Sequence, residues 1–297
     1  MKSASSRVAL VTCGEIPDLD PDDQLLLDPL RALGVEPVRV VWDAADVDWA
    51  GFQLAVLRSP WDYTLRRDQF IAWADRVPRL ANPADVVRWN TDKQYLRELA
   101  DGGLPVVPTT WVTDDAWIPP LTGEYVVKPS VGAGSVSTGR YRAGDPEHAA
   151  LAEAHVKRLR AAGKTVMVQP YLSEVDTYGE TALLYLPDAR GRLAFSHAIR
   201  KGALLDGPDT GEPYLYKEET ISPRVPVEAE LAVADRALAA IPGGADRLLY
   251  ARVDLIPGPD LQPLLVELEL TEPSLFLGTA DGAPTRFARA IASRAHS

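Results

Sequence analysis

Apolar residues along this chain gather into short unbroken runs separated by stretches in which they recur three and four residues apart. Arg7–Thr12, Val38–Trp42 and Leu54–Leu57 are compact apolar runs, the pattern of strands buried on both faces. Between the first two, Asp22–Leu33 sets Leu25, Leu26, Leu30 and Leu33 at helical spacing, opened by Pro21 and acids and closed by Gly34. Arg67–Val77 is a second helix candidate. Strands alternating with helices predict βαβ units around a parallel sheet. Ligands of such sheets sit beyond the carboxyl ends of the strands, where this chain carries Cys13–Asp23 and Arg58–Tyr63. Each segment is either a plain connection or a substrate contact. Arg58 is the cation placed to fix a substrate oxyanion, and Asp18 or Asp20 an acid for an α-ammonium. Cys13 is either a contact or a small buried filler.

Further along, Thr91–Gly102 reads as a helix capped by Thr91. Tyr125–Lys128 is a strand, Ser130–Gly139 a Gly/Ser-rich loop, Pro146–Ala162 a helix and Thr165–Pro170 a strand. Longer strands follow at Thr181–Leu186 and Arg192–Ile199, then a polar loop from Gly202 and a helix over Glu228–Ile241. Two apolar runs, Leu248–Ile256 and Gln262–Leu270, are joined by Pro257-Gly-Pro-Asp260, and Arg286–Ala295 is a last helix.

Composition narrows the classes. With 297 residues, 46% of them hydrophobic and 25% charged, the chain has an ordinary globular balance. No run approaches the ~20 apolar residues that cross a bilayer, and Val8–Val11 behind the polar MKSASS is too short for a secretory core. These features predict a cytoplasmic protein with no membrane partner. A single cysteine excludes an internal disulfide, and the four histidines have no zinc spacing. The formal net charge of −11 argues against a nucleic-acid partner. An anionic nucleotide is still bindable where cations converge or a metal intervenes. Self-association into a homo-oligomer is left open.

Three constellations carry chemistry. Val126-Val-Lys128 is a buried strand that delivers one lysine to Pro-Ser-Val-Gly-Ala-Gly134-Ser-Val-Ser-Thr138-Gly. Glycines admit close backbone approach, and exposed N–H groups make an anion-binding concavity, with hydroxyls from Ser135, Ser137 and Thr138. The alternative is a surface turn with a snorkelling lysine. The loop is neither a Walker A nor a dinucleotide fingerprint. In the second constellation, Arg252 and Asp254 share one strand face, as do Glu267 and Glu269 on the next. If the Pro-Gly-Pro-Asp turn makes these strands antiparallel neighbours, three carboxylates converge, and Mg²⁺ relieves their repulsion. The alternative is a solvated strand face. In the third, Met167-Val-Gln169-Pro-Tyr-Leu172 ends a strand at a hinge before Asp176, fit either for an adenine edge and a ribose or for a plain linker.

In this order the pieces resemble the ATP-grasp superfamily, a fold in which two α+β domains clamp ATP, and the resemblance covers essentially the whole chain. It implies α/β and α+β architecture: an N-terminal parallel-sheet domain over 1–88, a small central lid domain over 89–172 and a C-terminal domain over 173–297. It implies that Lys93 and Lys128 bind ATP phosphates and that Ser130–Thr138 is the mobile phosphate lid. By the same resemblance Gln169 and Leu172 bound the adenine, Asp176 holds the ribose, and Arg252 stands by the transferring phosphoryl. Asp254, Glu267 and Glu269 match the ligands of magnesium, two ions in all; the last is often Asn in the family. Arg200, beside Lys201 at a strand end, is a further cation expected in the same cavity.

The phrases at 11–24 and at 57–63 are similar to a glutathione-synthetase-like branch that includes the O-ureido-serine cyclo-ligase of D-cycloserine biosynthesis. The implied activity is ATP-dependent C–N ligation through an acyl phosphate. The substrate is a small amino-acid derivative, best matched by O-ureido-D-serine closing on itself to D-cycloserine. Rivals are an intermolecular amino-acid or peptide ligase and, more remotely, a non-catalytic nucleotide-binding module.

Overall fold

The computed structural model describes residues 6–113, 117–211, 215–216 and 219–297, so the first five residues of the polar opening lie outside it. The N-terminal apolar runs form β1 (Ser6–Thr12), β2 (Val35–Val41), β3 (Leu54–Ser59) and the short β4 (Leu80–Ala81), all parallel in the order β2-β1-β3-β4. Val8–Val11 are fully buried because helices cover the sheet.

The expected helix over Asp22–Leu33 is instead two pieces, α1 (Pro21–Gln24) and α2 (Leu27–Ala32). Pro29 has no N–H to donate to the Leu25 carbonyl, so a continuous helix is blocked at that turn. Only Leu26 and Leu30 of the predicted stripe are buried; Leu25 and Leu33 face outward. α3 (Arg67–Ala74) follows. Thr91 does not start the next helix. It closes α4 (Ala84–Asn90), a helix absent from the reading above, and α5 begins at Tyr95 and ends at Asp101.

A second sheet holds β5 (Thr110–Val112), β6 (Glu124–Pro129), β7 (Gly139–Arg142) and β8 (Val166–Pro170), antiparallel in the order β5-β8-β6-β7. Helix α6 (Pro146–Ala161) is capped by Asp145, which accepts from the Glu147 and His148 N–H groups. It buries Ala152, Val156 and Leu159 with Tyr125, Val127 and Val168 of this sheet.

The short α7 (Glu174–Tyr178) leads into a third sheet of β9 (Glu180–Pro187), β10 (Leu193–Lys201), β11 (Ile221–Arg224), β12 (Ala251–Pro257) and β13 (Pro263–Glu269). Its order is β11-β10-β9-β12-β13, antiparallel throughout. The Pro-Gly-Pro-Asp turn makes β12 and β13 direct neighbours, pairing Arg252 with Glu269 and Asp254 with Glu267. Helix α8 (Glu228–Ala239) packs Val233, Ala234 and Ala237 in the same core as Val253, Leu255 and Leu265 of this sheet.

The last helix, α9 (Ala283–His296), joins the two ends of the chain. Phe287, Ala288 and Ile291 pack in one core with Val8 and Leu10 of β1, Val56 of β3, and Leu184 and Leu186 of β9. Among the described residues no helix is long and apolar enough to cross a membrane.

Candidate active site

Where the second and third sheets face each other there is a cavity of about 530 Å³, within the range of small-ligand sites. Lys128 stands at the end of β6 and enters it. Burial, against the pull of Glu267, lowers this ammonium to about 8. Lys93, just past α4, reaches the same space, donates to the Gly132 carbonyl at 2.6 Å and pairs with Glu267 at 2.9 Å. It thereby ties the Gly-rich loop to the acidic strand.

In that loop Gly132–Val136 and Thr138 line the cavity, and Ser137 is not among the lining residues. Gly134, Ser135 and Ser137 hold left-handed backbone at φ 56, 57 and 53°, a conformation that presents successive N–H groups to one side. Gly134 is required here: a Cβ would lie 2.6 Å from the Tyr216 Cβ. Gln169 and Leu172 line the opposite edge, and Gln169 is oriented by its Nε2 donating to the Thr109 hydroxyl at 2.9 Å.

The acidic end is dense. Lys201 holds Asp254 at 2.8 Å and Glu180 at 2.7 Å. Arg252 forks onto Asp254, at 2.9 Å from both Nε and Nη2, and also donates to Glu269. Burial would raise the Asp254 carboxyl, but Arg252 and Lys201 more than reverse it and hold it below the usual carboxylate range. Burial wins at Glu269, pushed up to about 8, and at Glu180 and Glu272, each at about 7.

Sequence reasoning and structure part company at several residues. Arg58 is not in the cavity: it is 0% exposed, paired with Asp23 at 2.8 Å, donating to the Leu57 and Pro273 carbonyls, and stacked near Tyr250 and Phe287. Each of its three guanidinium nitrogens is engaged, so it braces the loop instead of meeting a substrate. Cys13 is a buried filler in the core on one face of the first sheet. Asp18 points outward with 80% of its side chain exposed and pairs with Arg39. Asp20 does line the cavity, while its carboxylate caps α1 through the Asp22 N–H.

Asp176 is not among the lining residues; it accepts from the Tyr171 hydroxyl and faces Arg140 at 3.7 Å. Arg200 turns away from the cavity to donate to the Tyr178 and Thr177 carbonyls. Adjacent strand residues face opposite sides, so Lys201 takes the place expected of Arg200. A bulge between Phe195 and His197 shifts the register of β10, which hid that choice from the sequence. Glu180 and Glu272 went unassigned; the register opposite Lys201 would have indicated Glu180.

Among the described residues eight carboxylates and four cations line the cavity, a surplus that repels a polyphosphate unless a divalent ion joins it. Asp254, Glu267 and Glu269 supply hard oxygen donors at facing register positions, which fits Mg²⁺. Each is paired with a cation of the chain, Glu267 and Glu269 through one carboxylate oxygen each. The one tight set of potential ligands among the described residues, Cys13, Glu15 and Asp62, lies elsewhere. Asp62 there already accepts from Trp42 and Arg66.

Residues 8–82 match the family model described as D-cycloserine synthetase DcsG, N-terminal domain. The chain is 39% identical over 303 residues to the cycloserine biosynthesis protein DcsG of Streptomyces lavendulae, covering 97% of this chain and 98% of that protein. A crystal structure of D-cycloserine synthetase DcsG superposes with a TM-score of 0.84 at 37% identity, over 97% of this chain and 99% of that one. An ATP-grasp RimK domain protein from Sphaerobacter thermophilus shares the fold, with a TM-score of 0.66 at 18% identity over 97% and 98% of the two chains.

Proposed function

The chain belongs to the D-cycloserine synthetase family of ATP-grasp ligases, and on that premise we propose that it uses ATP and magnesium to activate the carboxylate of O-ureido-D-serine and close the ring of D-cycloserine. The observation that carries this reading is one cavity walled by a lysine-and-glycine phosphate cradle on one side and an arginine among carboxylates on the other.

Lys128, Lys93 and the N–H groups of the Gly-rich loop hold the triphosphate, and Gln169 and Leu172 flank the base. Arg252, between Asp254 and Glu269, faces the γ-phosphoryl as it moves to the substrate carboxylate and offsets the charge that develops. Asp254, Glu267 and Glu269 would hold magnesium, which would neutralise charge between the phosphates and those acids. The ureido nitrogen attached to oxygen then attacks the acyl carbon, phosphate leaves and a five-membered ring closes; one water molecule then hydrolyses the carbamoyl group from the ring nitrogen, releasing carbon dioxide and ammonia. Because nucleophile and electrophile belong to one molecule, orienting a second substrate is unnecessary. Packing of the Gly-rich loop against Tyr216 keeps water from the acyl phosphate.

Product mass spectrometry with ATP, Mg²⁺ and a panel of amino-acid derivatives tests the reading. O-ureido-D-serine alone should yield phosphate, ADP and the cyclic product. A requirement for a second organic substrate would replace it with an intermolecular ligase.

A further inference from the structure

The segment 272–275 is held with unusual completeness. The Trp61 indole donates to the Glu272 carbonyl at 3.2 Å, Arg58 to the Pro273 carbonyl at 2.6 Å and Arg252 to the Ser274 carbonyl at 3.0 Å. A nitrogen of the His197 ring lies 2.9 Å from the Leu275 carbonyl oxygen. Four consecutive carbonyls thus meet side chains from three separate segments of the chain, which fixes where the Glu272 side chain enters the cavity. The carboxylates of Glu180, Asp254, Glu267 and Glu269 each lie in an ion pair. Among the described residues Glu272 has no such pair, and the neutral Tyr63 hydroxyl donates to it.

Glu272 lines the same cavity as Lys93, Arg252 and Glu267, and the charges of all three act on its carboxyl. Tyr63, its hydrogen-bonding partner, is itself buried and stacked on Phe70 at 4.9 Å.

We propose that Glu272 is the base that accepts the proton of the attacking substrate nitrogen, with Tyr63 as its positioning residue. The inference rests on the ring-closing reading above. In that step the nitrogen lone pair forms the C–N bond, the bond from acyl carbon to phosphate oxygen breaks, phosphate leaves, and the N–H proton passes to the Glu272 carboxylate. Burial holds Glu272 at about 7, suited to taking a proton near neutrality.

Hydroxylamine, a nucleophile that needs no enzyme base, separates the two half-reactions. Wild type given ATP, Mg²⁺, O-ureido-D-serine and hydroxylamine should form both hydroxamate and cyclic product. In Glu272→Gln the cyclic product should fall by about 100-fold or more, the scale of general-base contributions, while hydroxamate forms at a rate close to that of wild type. Tyr63→Phe, which keeps the carboxylate, should show the same split in milder form. Parallel loss of hydroxamate and ring product in both variants, or undiminished ring closure in Glu272→Gln, overturns the assignment to Glu272 alone. A wild type that forms neither hydroxamate nor cyclic product from this substrate overturns the parent reading and the inference with it.

Discussion

At the scale of single residues, charge placement decides what each side chain does. Glu267 faces Asp254 across β12 and β13 and pairs with Lys93. Glu267→Gln keeps the shape and removes the charge, so turnover should be abolished with an unchanged melting profile; near-normal activity at saturating Mg²⁺ would refute its role. Lys128 titrates at about 8 because burial penalises its charged form. As pH rises through that value in the free enzyme the cradle loses a positive charge, so the affinity for ATP should weaken from pH 7 to 9. Lys128→Ala should bind ATP more weakly at pH 7 and show a shallower slope, the remainder coming from Glu269 at about 8; calorimetry at both pH values checks it. Arg58 shows the opposite lesson. Its removal strands the buried Asp23 carboxylate, so Arg58→Ala should lose about 3–5 kcal/mol of stability in denaturant titration. The Michaelis constant of whatever enzyme remains folded should change little.

At the scale of elements, the Gly-rich loop between β6 and β7 is the part whose sequence and geometry agree most closely. Lysine, small residues and hydroxyls are all legible, and the fold adds the reason Gly134 cannot change. Its approach to Tyr216 excludes a side chain, and its φ of 56° disfavours one. Gly134→Ala should cost roughly 1–2 kcal/mol of closure, read as about a tenfold fall in kcat, with thermal stability nearly unaltered. Stability loss without a kinetic effect would show that the loop only packs. Helix boundaries were harder to read. Pro29 split α1 from α2, and Thr91 closed a helix where its cap chemistry pointed to an opening, because a short polar residue serves either end when tertiary packing chooses.

For the whole molecule, α9 is the decisive element. Phe287 is buried in a core shared by β1, β3 and β9, so the first and third sheets are held by one helix from the far end of the chain. Phe287→Ala should destabilise by about 3–5 kcal/mol. Sheet loss followed by circular dichroism and tryptophan emission, which samples Trp42 and Trp73 of the N-terminal core, should shift together. Separate transitions would show that the N-terminal sheet stands without α9.

The sequence by itself determined the strand and helix periodicities, the phosphate loop and the spacing that puts Arg252, Asp254, Glu267 and Glu269 on facing strands, because these follow from local rules of period two and 3.6. The tertiary structure alone decided which cations turn inward. Arg58, Arg200 and Lys201 carry like charge and lie at strand ends, and nothing local distinguishes them. A bulge in β10 sends Lys201 into the cavity and Arg200 onto the Tyr178 carbonyl, while Asp23, brought from another loop, claims Arg58. Glu272 depended on the fold in the same way, since its segment is fixed by hydrogen bonds that span as many as 215 and as few as 22 residues of sequence. Long-range pairing sets the direction of a charged side chain, and that information resides in contacts that no sequence window contains.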